Sequence, residues 1–489
     1  MHQYIRKIRI PQFRSSLLAL CIITYSASLN AQCHPNQIDS IPLVKHFSNP
    51  AFGNFLSIKK DRLNRPLIYT STKDGGLQIY SIQNGSVSLY KHFPVASFAN
   101  LDVINIVQQD HYLYVCLGDI WNTNERLGLA VMDVGDFHSI QLLDTLFLPE
   151  LKGGIANVFL QGNIAFLAGM QAGLILVDIT QKNHLQLLSR LPFSNDFPHH
   201  DSNNSSAYNA RGIWVKDSIA FVCYDRGGLR MVNISNPHQP VQISQYCRSD
   251  LIDSATAYNN LWISQDLAYV AIDYYGMEVL DISNPLQIKS IGFWHPADWA
   301  KATTNFQVWS QSKGHANEIY YDANCEKVYL AAGNTDAIGI DVSLPSNPET
   351  CSSFMIDADH YGSWGIDYHR DSLYLTYIWS PFFPPYSNYT GFCIYATQDC
   401  TTSTSIKIPS APMSSSLKYA VHELKVIAED SELPCILTVC NAQGYRILQR
   451  KISSSGEHSF PFLEWPEGIF IGVLRSANSF KLLRFSHFH

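Results

Sequence analysis

"RGIWVKDSIAFVCYDRGGLRMVNISNPHQPVQISQY" (211–246) and "NNLWISQDLAYVAIDYYGMEVLDISNPLQIKSIGFW" (259–294) are two copies of one phrase. Each opens on a short alternating strand and turns through polar residues into a second, apolar strand. A glycine then starts a third strand, "GLRMVNIS" or "GMEVLDIS", and an Asn-Pro turn leads to a fourth, more polar one. Period-two alternation cut by Gly, Asn and Pro is the mark of β-strands.

The same unit recurs outward in both directions. Its second strand carries an aromatic at Tyr69, Tyr114, Phe166, Phe221, Tyr269, Tyr329 and Tyr374. Its third strand reads "GLQIYSI", "GLAVMDV", "GLILVDI", "GLRMVNI", "GMEVLDI", "AIGIDVS" and "GFCIYAT". Seven units of four strands, 45 to 60 residues apart, predict an all-β chain built as a seven-bladed β-propeller over residues 32–400. A single blade cannot cover both its faces, so blades must stack radially and close. Helical periodicity is nearly absent, which argues against parallel βαβ folds.

The seventh unit supplies three strands, ending near Ala396. Ahead of the first unit stands "SIPLVKHFSN" (40–49), which is similar to that unit's own fourth strand, "SVSLYKHFPV" (86–95). Residues 40–48 are therefore expected to form the outer strand of the last blade and lock the ring. That would bring Cys33 near Cys400. A bond between them closes a loop of about 370 residues, worth roughly 5 kcal/mol as an upper value in the chain-entropy model. Cys325 and Cys351, in one blade, are a second candidate pair. Cys116 and Cys223 sit in apolar runs and read as buried thiols.

Phrases such as "GLILVDIT" and "GMEVLDIS" followed by Asn-Pro resemble the LVIVD-repeat propellers of exported bacterial proteins. The resemblance covers roughly residues 40–400. It implies the fold and export, and transfers no catalytic residue.

Export is also read from the N-terminus. Arg6, Lys7, Arg9 and Arg14 precede the apolar run "SLLALCIITYSASL", so residues 1–31 read as a signal peptide cleaved after Ala31. No membrane span is expected after its removal. The chain carries a formal charge of −7, and loss of the signal leaves 30 basic residues against 41 acidic. That excludes a nucleic-acid backbone as the expected partner.

"TTSTSIKIPSAPMSSS" (401–416) is a linker by composition. Residues 417–489 change character. "PCILTVCNAQGYRILQRKIS" reads as a hairpin around "NAQG", and "EGIFIGVLRSANSFKLLRFSHF" reads as a second. This tail resembles the C-terminal β-sandwich sorting domain of type IX secretion, which implies the secretion machinery as a partner. It departs from that pattern in lacking an Asn-Pro opening before Leu433 and in ending on "SHFH". An ordinary accessory β-domain is the alternative.

No zinc-protease, nucleophile-elbow, P-loop or dinucleotide motif is present, and "YGSWGID" spaces Ser363 wrongly for a nucleophile. No cofactor or metal is expected. Topology nevertheless says where a site would lie. Connections between blades, and between second and third strands, emerge on one face, and the long insertions fall there: 118–127, 193–209, 294–317, 357–363 and 377–390. Long loops on a rigid scaffold are where binding lives.

Trp121, Trp294, Trp299, Trp309, Trp364 and Trp379 are the candidate ligand-binding rings. Phe382, Phe383 and Tyr386 lie with them, and mutual packing into a roof is the alternative. His199, His200, Asp201, His295, Asp298, His315, Asp359 and His360 share that face without metal-ligand spacing, and His199, His200, His315 and His360 join the candidate set. Asn100, Asn157, Asn260 and Asn317 start first strands and should ring the channel mouth, as turn closers. Asp133, Asp178, Asp281 and Asp341 end third strands and should bond the backbone of the next turn.

The expected function is a non-enzymatic binding or scaffold protein, secreted or on the outer surface of a Gram-negative cell, taking an extracellular protein or glycan. The alternatives are an extracellular polysaccharide hydrolase or lyase using His and Asp of the same loops, and a purely structural surface module.

Overall fold

The computed structural model describes residues 54–83, 86–120, 126–198, 208–253, 256–296, 316–332, 337–354, 362–370, 372–379, 389–397, 415–420, 423–441, 446–461, 468–476 and 480–487. Among them there is no α-helix. Residues 57–396 form antiparallel sheets that follow one another along the chain, each with its strands in sequence order from inside to outside. Six have four strands and lie at 57–93, 103–152, 157–191, 213–246, 257–294 and 316–354. A seventh, at 362–396, has three among the described residues. They are called sheets one to seven below.

The first strand of each sheet touches the first strand of the next. The first strand of sheet seven (Gly362–His369) touches that of sheet one (Ser57–Lys60). The sheets thus close into a β-propeller around a central channel. The apolar clusters lie between sheets, as radial stacking requires: Leu229 and Met231 of sheet four pack with Leu261 and Val270 of sheet five, and Met277 and Val279 of sheet five with Val328 and Leu330 of sheet six.

Local signals account for the strands. All seven aromatics of the repeat fall in second strands, and each lies opposite a first-strand residue: Tyr69 to Lys59, Phe166 to Phe159, Phe221 to Trp214, Tyr269 to Trp262, Tyr329 to Tyr320. The third-strand Asp does close the next turn. Asp133 accepts from Gly135 N at 2.8 Å, Asp178 from Thr180 N at 2.8 Å, Asp281 from Ser283 N at 3.0 Å and Asp341 from Ser343 N at 2.9 Å. In sheets one to six the fourth strand is joined to the third across a register shift at the same place. Such a bulge sharpens the twist that lets blades nest.

The tail holds both expected hairpins, Cys435–Asn441 with Arg446–Ile452 and Gly468–Arg475 with Phe480–His487. They form one four-stranded sheet, and Ser416–Ala420, Glu423–Ala428 and Gly456–Pro461 form a three-stranded one. Leu424 and Val426 of the second bury a common core with Leu437, Val439 and Phe470 of the first.

This tail meets the propeller at short turns. Gln449 donates to Glu326, Arg475 Nη1 donates to Ser343 Oγ at 2.7 Å, and Pro434 and Ile436 face Tyr269, Tyr321 and Leu344 across a cleft of about 150 Å3. Glu326, Ser343 and Leu344 belong to turns between first and second or third and fourth strands, so the tail sits on the face opposite the long loops.

Cys116 and Cys223 are buried free thiols. Cys325 is disulfide-bonded, but Cys351 carries a thiol 3.9 Å from Ser352 Oγ, so these two do not pair with each other. Cys33, Cys400, the signal segment 1–31 and the closing strand 40–48 lie outside the described residues.

Candidate functional site

First strands carry a register shift near their start in sheets two, five, six and seven. It decides which side chain faces the channel. The residues in the corresponding place are Ser57, Asn105, Asn157, Gly212, Asn260, Glu318 and Gly365.

Side-chain amides here stitch one sheet to the next. Ser57 Oγ donates to Asn105 Oδ1 at 3.0 Å, and Asn105 Nδ2 to Ala156 O at 2.8 Å. Asn259 Nδ2 donates to Ala316 O at 2.9 Å, and Asn317 Nδ2 to Ser363 O at 3.1 Å. Gly212 and Gly365 let the backbones meet: a Cβ on Gly365 would lie 2.4 Å from Leu56 O, and one on Gly212 2.7 Å from Asn259 O.

Asn260 stands at the expected ring and accepts the Leu261 N–H of its own strand at 2.8 Å, whereas Asn317 lies one place before the ring position, which Glu318 holds, and links its blade to the next through Ser363 O. Asn157 begins its strand, half-buried. Asn100 does not belong to the ring. A 3-10 turn at Val95–Phe98 sets it outside, exposed, with its N–H on Val95 O at 2.9 Å. Asn105 takes the place expected for it.

Glu318 spans the channel. Its Oε1 receives Asn105 Nδ2 of sheet two at 3.4 Å and its Oε2 receives Ile366 N of sheet seven at 3.2 Å. Burial pushes its carboxyl above the ordinary range, against the pull of Lys59, the Ile366 N–H and Asn105. On the long-loop side, Leu56, Ile104, Ile120, Met170 and Ile378 form an apolar cluster with Ala156 and Trp364 packed on it. The channel is therefore closed near that face by a carboxylate bridge and an apolar cap.

Deeper lies an aromatic arc that the sequence reading missed. Phe159, Trp214, Trp262 and Tyr320 follow at centroid distances of 5.0, 4.7 and 4.5 Å, and Tyr368 lies 5.4 Å from Tyr320. All five are half-buried. The signal was their recurrence in "NVFLQ", "GIWVK", "NLWIS" and "EIYYD", two places after the ring position.

Two predicted tryptophans belong to packing. Trp294 is 7% exposed, lies in the core between sheets five and six, and donates Nε1 to Thr350 Oγ1 at 2.8 Å. It is removed from the ligand-binding set because its ring has no open face. Trp364 is half-buried against the apolar cap. Trp379 is 53% exposed on the long-loop face, with its backbone N–H on Asn54 Oδ1 at 2.6 Å. Trp121, Trp299, Trp309, His199, His200, His315 and His360 lie outside the described residues.

The stem of the 193–209 loop is held firmly. The fully buried Arg230 donates Nη2 to Ser194 O at 3.1 Å and Phe197 O at 3.4 Å, and its guanidinium lies 5.3 Å from the Phe197 ring. Burial pulls its pKa down to about 10. Tyr224 Oη donates to Asn195 Oδ1 at 2.9 Å. Beside it, Asp225 is buried and accepts from Asn209 Nδ2 at 2.7 Å and Arg211 Nε at 3.0 Å, with burial pushing its carboxyl up.

These sheets and this channel define a β-propeller. Residues 152–191, 208–247 and 257–289, across sheets three to five, match the LVIVD repeat, so the chain is a propeller bearing LVIVD repeats. No curated protein matches it.

Solved structures similar to it include the computationally designed Ika8 protein, at 11% identity and TM-score 0.43, over 91% of this chain and 99% of that one. The β-propeller domain of Myceliophteria thermophila Cps50 (Swd1) is similar at 12% identity and TM-score 0.47, over 71% of this chain and 97% of that one. The extracellular domain of a putative hybrid two component system from B. thetaiotaomicron is similar at 13% identity and TM-score 0.46, over 89% of this chain and 55% of that one. At such scores they add nothing to what the sheets themselves establish.

Proposed function

We propose that residues 32–400 are a seven-bladed propeller locked by residues 40–48 on the outer edge of sheet seven, and that residues 417–489 are a β-sandwich that engages the secretion machinery. Freed of residues 1–31, the protein is secreted or held at the outer cell surface. There it works as a non-enzymatic binding or scaffold protein and takes an extracellular protein or a glycan on its long-loop face.

One observation carries this reading: the two faces of the ring are unequal. The short-turn face of sheets five and six is covered by the tail through Glu326 and Ser343. The long-loop face leaves Trp379 half in solvent and ties Ser194 and Phe197, at the start of a long loop, to the sheet through Arg230. A large ring exposed on a fixed scaffold loses little entropy on binding, which makes it a good anchor. The capped channel directs a ligand to the loops rather than into a pore.

The test is binding of the purified protein and its Trp379→Ala variant to arrays of glycans and extracellular proteins. The expected result is a specific hit weakened at least tenfold in a variant of unchanged melting temperature. Absence of any hit, or hits indifferent to Trp379, would overturn the long-loop reading.

A further inference from the structure

On the short-turn face, between sheets seven and one, lies an open pocket of about 320 Å3. Lys60, Arg65, His369 and Arg370 line it, with Asn64 and Ser372 as polar neighbours and Pro66, Ile82 and Tyr374 as apolar wall. Its charge is lopsided. Asp61 is engaged by Arg65 at 2.6 Å and Asp367 by Arg62 at 2.5 Å. Lys60 and Arg370 make no ion pair among the described residues. Lys60 gives its ammonium to Arg65 O, and Arg370 Nη2 donates to Asn64 Oδ1 at 2.9 Å. Among the described residues four cations, Lys60, Arg62, Arg65 and Arg370, thus face two carboxylates, in a chain whose net charge is −7.

Lys60 is only 9% exposed. A buried ammonium without a directly paired carboxylate is costly, and three N–H donors cannot be spent on one carbonyl. The neighbours register the same field. Burial, then Arg62, Lys60 and Arg370, pull His369 below the ordinary imidazole range against Asp367. Burial and the Arg62 and Arg370 charges pull Lys60 down against Asp61 and Asp367.

We infer that this pocket is an anion site for a monosaccharide-sized acid, whose oxyanion sits between Lys60, His369 and Arg370 while its ring rests on Pro66, Ile82 and Tyr374. The size points to more than a bare ion, since about 320 Å3 falls at the low end of the roughly 300–1,000 Å3 typical of small-molecule pockets. Arg370 offers a planar fork suited to carboxylate or phosphate, Lys60 a point charge, and Asn64 and Ser372 partners for hydroxyls. The site stands apart from the long-loop face and does not depend on its role.

The experiment is calorimetry and thermal shift at low ionic strength with glucuronate, glucose 6-phosphate and glucose 6-sulfate, beside glucose and inorganic phosphate. The three acids distinguish carboxylate, phosphate and sulfate. At least one acid should bind and raise the melting temperature, with glucose inert and affinity falling with salt. Arg370→Gln, on an exposed turn that keeps the fold, should weaken binding at least tenfold, and Lys60→Met should abolish it. Trp379→Ala should bind like wild type. The bound acid should raise the His369 titration midpoint seen by NMR, which a merely structural role for these cations would not do. The site is refuted if no acid binds, if glucose binds as tightly, or if Arg370→Gln binds like wild type. Inorganic phosphate binding as tightly as every sugar acid would refute the sugar-sized ligand.

Discussion

The junction of sheets five and six and the junction of sheets seven and one are built from different chemistry. At the first, Trp262 meets Tyr320 at 4.5 Å, Tyr269 stacks on Tyr321 at 4.9 Å and Trp294 reaches Thr350, over a large apolar cluster. At the second, the apolar cluster is smaller, built on Phe55, Ile58, Ile68, Tyr80, Tyr374 and Phe392. Directional contacts fill the remainder: Lys60 N donates to Asp367 Oδ2 at 2.8 Å, Arg62 pairs with Asp367, Lys59 Nζ donates to Ile366 O at 3.2 Å and Arg370 holds Asn64. Sheets five and six are consecutive in the chain, whereas Lys60 and Asp367 are 307 residues apart. Apolar contact is non-directional and suits neighbours already brought together. Segments that must find each other across the whole chain are brought into register here by charged hydrogen bonds.

Asp367→Ala should have the largest effect and should break the closing junction alone. The carboxylate is buried, and its loss strands the Lys60 N–H and adds to the excess positive charge, at a cost of about 3–5 kcal/mol. Hydrogen exchange should accelerate in Ser57–Lys60 and Gly362–His369 before it does in sheets five and six. Uniform acceleration around the ring would mean that the junctions are not separable.

Trp262→Ala should come next, at about 3 kcal/mol, since a half-buried ring loses its contacts with Trp214 and Tyr320. Denaturant melts at low and high salt should give the same loss, because no charge is involved. A salt-dependent loss would remove the chemical distinction between the two junctions.

The sequence made these elements legible to different degrees. Strands were readable because glycine, Asn-Pro and a recurring aromatic mark each turn and each second strand, and Asp133, Asp178, Asp281 and Asp341 act within two residues of themselves. The channel ring was readable only in part. A bulge at the start of first strands decides whether Asn317 or Glu318 faces the lumen, and nothing in the residue pattern prints a bulge. Asn100 was misplaced because a 3-10 turn intervenes before its strand. Trp294 lies where an exposed ring was expected, yet its indole found a hydroxyl on the outer strand of the next sheet, a partner 56 residues away. The basic pocket joins turns about 300 residues apart, which no local window contains.

Glu318→Gln sharpens the picture of the channel. Its carboxyl is raised from the ordinary 4.5, chiefly by burial. The folded state therefore holds this proton more tightly than the unfolded chain. The group's contribution is fully present below about 4.5 and is lost as pH rises through the folded value. The glutamine variant should match wild type in acid and gain on it as pH rises above that window, with Asn105 still able to donate. Melting temperatures of both proteins across pH 4–8 check this, and a constant difference would show that Glu318 does not titrate within the ring.

Arg62→Gln should have the smallest effect, because its side chain is 34% exposed and its partner Asp367 keeps the Lys60 N–H. Such pairs are worth about 0.2–1 kcal/mol in dilute salt and are screened at 1 M. A loss of that size that vanishes in salt would assign the specificity of closure to the buried carboxylate rather than to its exposed partner. A loss as large as that of Asp367→Ala, unchanged by salt, would make the guanidinium an equal half of the lock. The contrast with the aromatic junction would then lie in geometry and not in charge.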